Sequence, residues 1–435
     1  MDDQDYTVWG CAFGAAEHLR NGETGASEGE LRNRGERLWS ICVRPFQTEA
    51  MEGYVHPDFT PVATRLRRLM TRHRGSGGAA VAVYQHGELV VDIWDGVRDA
   101  HGSPWERDTM AMSFSTTKGV VATAVHRLVD QGFLAYDDPV CAYWPEFAQG
   151  GKEHITVRHL LTHQAGLHPI RTLVDSTEEL LDWQHMVDLL AAETPIWEPG
   201  THSGYHALTY GWLVGEVIRR VTGLTVNEVV RRELADPLGL DGFFIGVPPD
   251  ERSRTADLLI DPNVSRRLLR FFHRIEQIDR YRPLVEALVV DDFLDIAQTG
   301  RIHDAELPAA NGVFTARDLA RLYAALATPD SFDQPRLLSE ATTGEAIRQQ
   351  TWGRDAVVLL DMRWRLGYHV PMTTAGYVRE GFGHFGFGGS GAWGDPASGL
   401  GVALVVNRVT GTPFGDTRVL RIGGAALRAA RERIA

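Results

Sequence analysis

The sequence has 435 residues, which is more than one small core can absorb and favours a large bilobed domain or two domains. Its formal net charge of −13 argues against nucleic acid and anionic membrane surfaces as partners. Three separated cysteines form no metal-ligand spacing, and neither a signal-peptide pattern nor a membrane-spanning apolar run is present, so we expect a cytoplasmic location.

Residues 1–56 are polar and weakly patterned, and we interpret them as an extension outside the main domain, which we place at 57–435. The extension contains G-A-S-E-G at 25–29, a match to the G-x-S-x-G motif in which a nucleophilic serine lies between a strand and a helix. No strand-like run precedes Ser27 and no apolar helix follows it. We therefore expect Ser27 to be a loop serine without a catalytic role.

The first part of the main domain predicts a helix, a hairpin and a second helix. Apolar residues recur at helical spacing over 59–74, and two β-rich apolar runs fill 79–96 around a turn at His86-Gly87. An apolar helix then follows Ser115 and ends at Gly132, a residue type that commonly ends helices. From there to about residue 310 the pattern is mainly helical.

Strand patterns return late in the chain. Before them, the basic and apolar stretch 265–275 is typical of a solvated amphipathic helix rather than of a membrane anchor, and Thr315 is placed to cap a helix within 311–327. A terminal helix is expected over 417–434. The late strand-like runs are 362–370, 390–396 and 399–407.

These patterns predict an α/β fold of the α+β type. Strands from the two parts 57–118 and 311–435 would form one antiparallel sheet, which helices from both chain ends would cover. The residues between these parts, 119–310, would form a large and mainly helical insert.

Ser115 and Lys118, in the stretch SFSTTKG at 113–119, form a candidate nucleophile and base. Residues three apart lie on one face of a helix, so the Ser115 hydroxyl and the Lys118 amine can meet. Of the 44 basic residues, all except Lys118 and Lys152 are arginine, which cannot release its proton. To act as a base near neutral pH, Lys118 needs a pKa lowered from about 10.4 to about 7–8, a shift that burial beside residues 119–121 can supply.

Tyr205 and His384 are the next candidates. Tyr205 lies between the turn at 198–200 and an apolar helix, and a cation beside it would lower its pKa and let it relay a proton. His384 lies in a glycine-rich stretch, 380–396, where backbone can approach a substrate closely and an edge-strand amide can stabilise an oxyanion. Phenylalanines would line an acyl pocket there: Phe382, Phe385 and Phe387. Taken alone, Tyr205 and His384 each also fit a structural role.

Together, these motifs resemble those of the serine β-lactamase and penicillin-binding-protein superfamily. Ser115-Thr116-Thr117-Lys118, Tyr205 and His384-Phe385-Gly386 stand in the order of its three motifs. The nearest group is that of the class C β-lactamase-like carboxylesterases, often called family VIII esterases. The resemblance covers about residues 57 to 434.

The resemblance implies a catalytic domain with the β-lactamase/transpeptidase-like fold, in which Ser115 is acylated. It implies that Lys118 and Tyr205 share the duties of base and proton relay, and that the amides of Ser115 and Phe387 form the oxyanion hole. It also places three residues of the third motif at the substrate: His384, Phe385 and Gly386.

Two departures from the family pattern favour neutral esters over β-lactams and peptides. The second motif usually reads Tyr-x-Asn, but Ala207 stands here in place of the asparagine, whose amide could hold a lactam side chain. The third motif usually begins with a lysine that attracts the substrate carboxylate. His384 is at most partly charged at neutral pH, so this anchor is weak.

Four further histidines are candidates for a role near these motifs. His159 and His163 stand four apart like a helical metal pair, but no HExxH glutamate or third ligand accompanies them, so no metal site is predicted. His202 and His206 flank Tyr205 and could tune its pKa. We expect them instead to be exposed loop residues.

We therefore predict a serine carboxylesterase that hydrolyses small to medium acyl esters through a Ser115 acyl-enzyme. It would need no metal or organic cofactor, and its partner would be a small-molecule ester, without nucleic acid or membrane insertion. A transacylase, or a β-lactamase, D-peptidase or amidase of the same fold, is an alternative within the enzymes. A catalytically silent binding or scaffold protein is the alternative outside them.

Overall fold

Eleven strands form three antiparallel sheets in the computed structural model, which describes residues 51–71, 77–410 and 416–434. The strands are β1 (Met51–Val55), β2 (Gly78–Gln85), β3 (Glu88–Gly96), β4 (Ala111–Met112), β5 (Phe243–Ile245), β6 (Gly312–Phe314), β7 (Met372–Thr373), β8 (Gly376–Tyr377), β9 (Phe382–Phe385), β10 (Gly391–Asp395) and β11 (Leu400–Val406). The main sheet has the order β1-β3-β2-β11-β10-β9. The pairing of β2 with β11 joins the two chain ends, which confirms the predicted α+β sheet.

Helices surround this sheet and fill the segment between its two halves. They are α1 (Thr60–Thr71), α2 (Thr116–Asp130), α3 (Val157–Leu161), α4 (Thr177–Leu180), α5 (Trp183–Ala192), α6 (Tyr210–Thr222), α7 (Val226–Val230), α8 (Asp236–Leu238), α9 (Pro262–Ile275), α10 (Arg282–Leu288), α11 (Phe293–Ala297), α12 (Ala316–Ala327), α13 (Glu340–Ile347) and α14 (Thr417–Ile434). Helices α3 to α11 fall within the predicted insert, which also contributes β5.

The central strands of the main sheet are buried on both faces. Successive side chains of a strand point to opposite faces, so β2 divides its residues between two cores. Val81 and Val83 pack with residues of α1 and α14, the two terminal helices that were expected to cover the sheet. Ala80 and Ala82 belong to the second core, which contains α12 and most of the helical insert. Helix α2 packs against β9, and this contact positions the candidate site.

Several predicted local features are confirmed. His86 and Gly87 have φ of 46° and 79°, as a two-residue hairpin turn with the strand twist requires. Helix α2 is followed by Gly132 at φ 76°, whose amide donates to the Val129 carbonyl at 2.9 Å. The Thr315 hydroxyl accepts from the Asp318 amide at 3.1 Å and caps α12.

The N-terminal extension ends earlier than predicted, because strand β1 belongs to the main sheet. The sequence analysis assigned residues up to 56 to the extension, but Met51–Val55 pair with β3 along the edge of the main sheet. The pairing was missed because only Met51 of this strand is buried, so the strand has no apolar alternation. Residues 1–50, which include Ser27, Cys11 and Cys42, lie outside the described residues.

The prediction of a strand over 362–370 is wrong. This segment is irregular and makes one isolated bridge, between His369 and Gly383. The chain turns within it, because the Arg365 amide donates to the Tyr368 carbonyl and Gly367 has φ 73°. A Cβ at Gly367 would lie 2.2 Å from Ala122 on α2, so the turn packs against the helix that carries Lys118.

The basic stretch near residue 270 forms an amphipathic helix, α9, as predicted. Leu268 and Phe272 are buried, whereas Arg266, Arg267, Arg270 and Arg274 are exposed. In the described ranges, no helix combines the length and the apolar character that crossing a bilayer requires. The cytoplasmic location stays a prediction.

Candidate active site

Ser115 lies at the tight turn that starts helix α2. Phe114 before it has φ 46°, an uncommon conformation for a non-glycine residue, and the Thr116 amide donates to the Ser113 carbonyl at 3.1 Å. Phe114 and Thr116 are buried, but Ser115 is partly exposed. The turn therefore presents the Ser115 hydroxyl to a ligand while its neighbours anchor the backbone.

The Lys118 side chain is fully buried below Ser115. Its Nζ donates to the carbonyls of Ala207 and Ala309 at 2.7 and 2.9 Å, and it lies 3.2 Å from the Ser115 Oγ. Burial holds the pKa of Lys118 well below its usual range, in the predicted direction. A neutral amine has two N–H groups and one lone pair. The two carbonyls use both N–H groups, and the lone pair is left for the Ser115 O–H.

Tyr205 reaches the same hydroxyl from the other side. Its O–H donates to the Ser115 Oγ at 2.8 Å, and the Lys118 Nζ lies 5.0 Å from the centroid of its ring. Burial raises the pKa of Tyr205, so the predicted lowering by a neighbouring cation is wrong. Burial disfavours the charged form of Lys118, so the expected cation beside the phenol is weak. Tyr205 is thus a protonated hydrogen-bond donor at neutral pH.

The third predicted motif lies on β9 and the turn after it. A Cβ at Gly386 would lie 2.2 Å from the Ser113 carbonyl oxygen, so only glycine lets this turn approach the start of α2 so closely. The rings of Phe387 and Phe114 pack edge to face, with centroids 5.4 Å apart. Within residues 77–410, no turn or loop hydrogen bond uses the amides of Ser115 and Phe387.

His384 is buried beside this turn and does not supply a cation. Its Nδ1 lies 2.9 Å from the Phe385 carbonyl oxygen, and its Nε2 is buried without a partner among the described residues. Burial, followed by the nearby His369 and Lys118, lowers the pKa of His384 well below its usual range. The imidazole is therefore neutral at physiological pH, a stronger form of the sequence expectation. Phe385 is half-buried, and its amide donates to the His369 Nε2 at 3.0 Å.

The histidines near Tyr205 differ in exposure. His202 is exposed as predicted, but His206 is buried, so the expectation of a loop surface is wrong for it. The His206 Nε2 accepts from the Leu167 amide at 3.0 Å, and its Nδ1 pairs with the Gly204 carbonyl at 2.7 Å. Burial lowers its pKa to about 3. His206 thus holds the loop that carries Tyr205.

The pair His159 and His163 has other partners. The His159 side chain completes a capping box with Thr156 at the start of α3. His163 is buried and packs against Trp364 and Tyr205, with ring centroids 4.3 and 5.0 Å away. Three or more metal-binding side chains do not come together anywhere in the described part of the chain.

Sequence reasoning missed Asp355, a buried carboxylate behind Tyr205. Its Oδ1 accepts from the Tyr205 amide at 3.1 Å, and its Oδ2 accepts from the Trp364 indole N–H at 2.9 Å. The Trp364 ring lies parallel to that of Tyr205, with centroids 5.6 Å and planes 9° apart. Asp355 and Tyr205 are 150 residues apart, and no spacing rule relates them. No sequence signal available to us would have found this contact.

Together, these groups can carry out nucleophilic attack with proton transfer. A neutral amine can take the Ser115 proton, and a protonated phenol can supply one to a departing atom. Two amides at the start of α2 and after β9 could stabilise a negative oxygen. The structure brings Ser115, Lys118 and Tyr205 into direct contact, and it places Gly386 against the Ser113 turn. Their roles in a reaction stay predictions.

A family model and a named relative each match most of this chain. A family model described as Beta-lactamase matches residues 62–427. The chain is similar to the protein named Esterase/beta-lactamase LipL from Mycobacterium tuberculosis, with 40% identity over 369 residues, which cover 82% of this chain and 83% of LipL.

Solved structures show the same likeness. One is described as a family VIII carboxylesterase, with a TM-score of 0.76 and 34% identity over 87% of this chain and 99% of that one. Another is described as a penicillin-binding protein homolog from Caulobacter crescentus, with a TM-score of 0.75 and 35% identity over the same shares of the two chains.

Proposed function

The chain belongs to the beta-lactamase family, and from that premise we propose that it is a serine carboxylesterase with Ser115 as its nucleophile. Relatives named esterase and carboxylesterase support the broader statement that the chain is a serine hydrolase acting on esters. The contact of the Ser115 Oγ with both the Lys118 amine and the Tyr205 phenol carries the finer proposal.

In the proposed reaction, the Ser115 Oγ bonds to the ester carbonyl carbon while Lys118 takes the hydroxyl proton. The amides of Ser115 and Phe387 stabilise the resulting oxyanion. When the C–O bond to the alcohol breaks, Tyr205 donates its proton to the leaving oxygen and recovers one from Lys118. Water then attacks the acyl-enzyme with the same groups acting in reverse, which releases the acid and restores Ser115.

The surroundings of Ser115 favour neutral esters over anionic β-lactams. His384 is neutral, so it offers no charge to a substrate carboxylate, and Ala207 contributes only its backbone carbonyl, which binds Lys118. β-Lactam hydrolysis is a second candidate, because LipL carries both activities in its name. A transacylase would share the first half of the reaction and differ only in the final acceptor.

A substrate comparison with a single variant tests the proposal. Hydrolysis of p-nitrophenyl acyl esters from acetate to decanoate is measured beside hydrolysis of nitrocefin, with wild type and Ser115→Ala. We expect faster turnover of esters, lost in the variant, and the best chain length gives the size of the acyl pocket. Faster turnover of nitrocefin would favour the lactamase, and product analysis with an added alcohol would reveal acyl transfer. Folded protein without activity on either substrate would favour a silent binding protein.

A further inference from the structure

Asp355 is a carboxylate behind Tyr205 that accepts four hydrogen bonds. Its side chain is buried, and besides the two contacts with Tyr205 and Trp364, its Oδ1 accepts from the amides of Val357 and Val358 at 2.9 and 3.0 Å. Burial raises the pKa of Asp355, while these donors oppose the rise. An anion buried at this depth persists only when its hydrogen bonds are satisfied, and four protein N–H groups satisfy this one.

Two of the four contacts act on Tyr205, each from a different direction. The amide of Tyr205 fixes the start of its side chain, and the Trp364 ring, held by its indole N–H, fixes one face of the phenol ring. The opposite end of the phenol is the O–H that donates to Ser115. A displacement of about 1 Å at a reacting group can lower a rate by about a hundredfold, so the orientation of this ring matters for proton transfer.

We propose that Asp355 is a positioning residue for Tyr205: it clamps the tyrosine backbone and the tryptophan behind its ring, and so holds the phenol proton where the leaving alcohol needs it. This inference rests on the proposed esterase function. It deepens that function by assigning the placement of the proton donor to a residue that touches neither substrate nor Ser115.

The substitution Asp355→Asn keeps the shape of the side chain and tests whether a carboxylate is required at this position. All four partners of Asp355 are donors, whereas an asparagine side chain has one acceptor oxygen and one donor nitrogen. In either orientation, the new NH2 group faces the Trp364 indole N–H or the three amides. Part of the clamp on Tyr205 is therefore lost with almost no change in volume.

Two esters with different leaving groups provide the test. A p-nitrophenolate departs without a proton, but an alkoxide such as ethoxide needs one, so only the alkyl ester depends on Tyr205 as an acid. For Asp355→Asn we expect kcat/KM on ethyl acetate to fall at least about tenfold more than on p-nitrophenyl acetate. Removing the Asp355 charge lowers the pKa of Tyr205, which alone would help proton donation, so this loss reports position.

Trp364→Phe completes a double-mutant cycle. Phenylalanine keeps an aromatic ring beside Tyr205 but lacks the indole N–H, so the asparagine NH2 group no longer opposes a donor there. We expect Asp355→Asn to have a smaller effect in this background, whereas additive effects would mean that the two residues act separately. Trp364→Phe alone should show the same leaving-group dependence to a smaller degree, which keeps the inference testable if Asp355→Asn fails to fold.

Asp318 offers a matched control. It is buried, burial raises its pKa, and its Oδ2 accepts from the Gly242 amide at 2.7 Å, a hydrogen bond that involves none of Ser115, Lys118 and Tyr205. Asp318→Asn should lower stability without any leaving-group dependence. Equal losses on both esters for Asp355→Asn would overturn the positioning role while leaving the esterase intact. Full activity of Ser115→Ala would instead overturn the proposed function itself.

Discussion

Lys118 and Lys152 are the two lysines of the chain, and both side chains are buried. The Lys152 Nζ donates to the carbonyls of Ala191 at 3.0 Å and Glu193, and lies 5.2 Å from the Phe147 ring centroid. These carbonyls are at the C-terminal end of α5, where a cation is favourable. Lys118 also binds two carbonyls, but its third direction holds the Ser115 hydroxyl. Burial alone therefore does not make a lysine a base, and the neighbouring hydroxyl marks the difference.

The surrounding charges sharpen this contrast. Burial lowers the pKa of Lys152 to about 8, and the nearby Glu193 carboxylate opposes the shift. Burial acts on Lys118 without an opposing carboxylate, and its pKa falls well below the usual range. We expect Lys118 to be neutral in the resting protein and Lys152 to be mainly charged at pH 7. Activity, stability and the pH dependence of stability should therefore distinguish the two lysines.

The largest expected effect is on activity. Lys118→Met keeps a long unbranched side chain but removes the base, so kcat/KM on p-nitrophenyl acetate should fall by about a thousandfold or more. Lys152→Met, measured in the same assay, should stay within about twofold of wild type. An equal loss in both variants would mean that the contrast is wrong.

The second effect is on stability. Lys152→Met leaves the carbonyls at the end of α5 without their donor, and a buried polar group without a partner costs about 1–3 kcal/mol. The free energy of unfolding, measured in urea, should fall by that amount although the variant remains active. An unchanged urea midpoint would show that the carbonyls find other partners.

The third effect is a pH dependence. The pKa of Lys152 is about 8 in the folded protein and about 10.4 in the unfolded chain, so the unfolded chain binds more protons between these values. The contribution of Lys152 to stability should therefore rise with pH from about 8 to about 10.4, by at most about 1.4 kcal/mol per pH unit. The stability difference between wild type and Lys152→Met should grow across this window. A difference that stays flat would place the pKa of Lys152 near its ordinary value.

The smallest expected effect is on substrate preference, in a variant that carries a third lysine at position 384. His384→Lys restores the lysine with which the third family motif usually begins, at a position where the native imidazole is neutral. The ratio of nitrocefin to p-nitrophenyl acetate hydrolysis should rise about tenfold, because a charge-assisted hydrogen bond to the lactam carboxylate would stabilise the bound lactam by about 1.5 kcal/mol or more. A variant with Gln at His384 is the uncharged control and should leave the ratio unchanged. If both variants raise the ratio equally, charge is not what excludes the lactam.

Periodicity and short motifs predicted the parts of the fold that local sequence controls. The hairpin at His86-Gly87, the cap at Thr315 and the i, i+3 contact of Ser115 with Lys118 all involve residues close in the chain. The apolar, β-rich runs of β2 and β11 likewise predicted strands, because a strand that is buried on both faces is apolar along its whole length.

The errors arose where distant residues decide the outcome. Strand β1 has one buried side chain, and the turn at Gly367 follows from packing on α2 rather than from its neighbours. The burial of His206 and the raised pKa of Tyr205 depend on how the insert packs around them, which no local pattern records. The contact of Asp355 with Tyr205 could not be predicted for the same reason, because the two residues meet only in the folded chain.

The central claim, that Ser115 is acylated with the help of Lys118, can be tested most directly by labelling with a fluorophosphonate probe and mass spectrometry. The attack forms an O–P bond and releases fluoride, so the adduct marks the nucleophile itself. We predict a single adduct on the peptide that contains Ser115, formed at the wild-type rate in Lys152→Met, far more slowly in Lys118→Met and not at all in Ser115→Ala. An adduct on another residue, or labelling of Lys118→Met at the wild-type rate, would contradict the account.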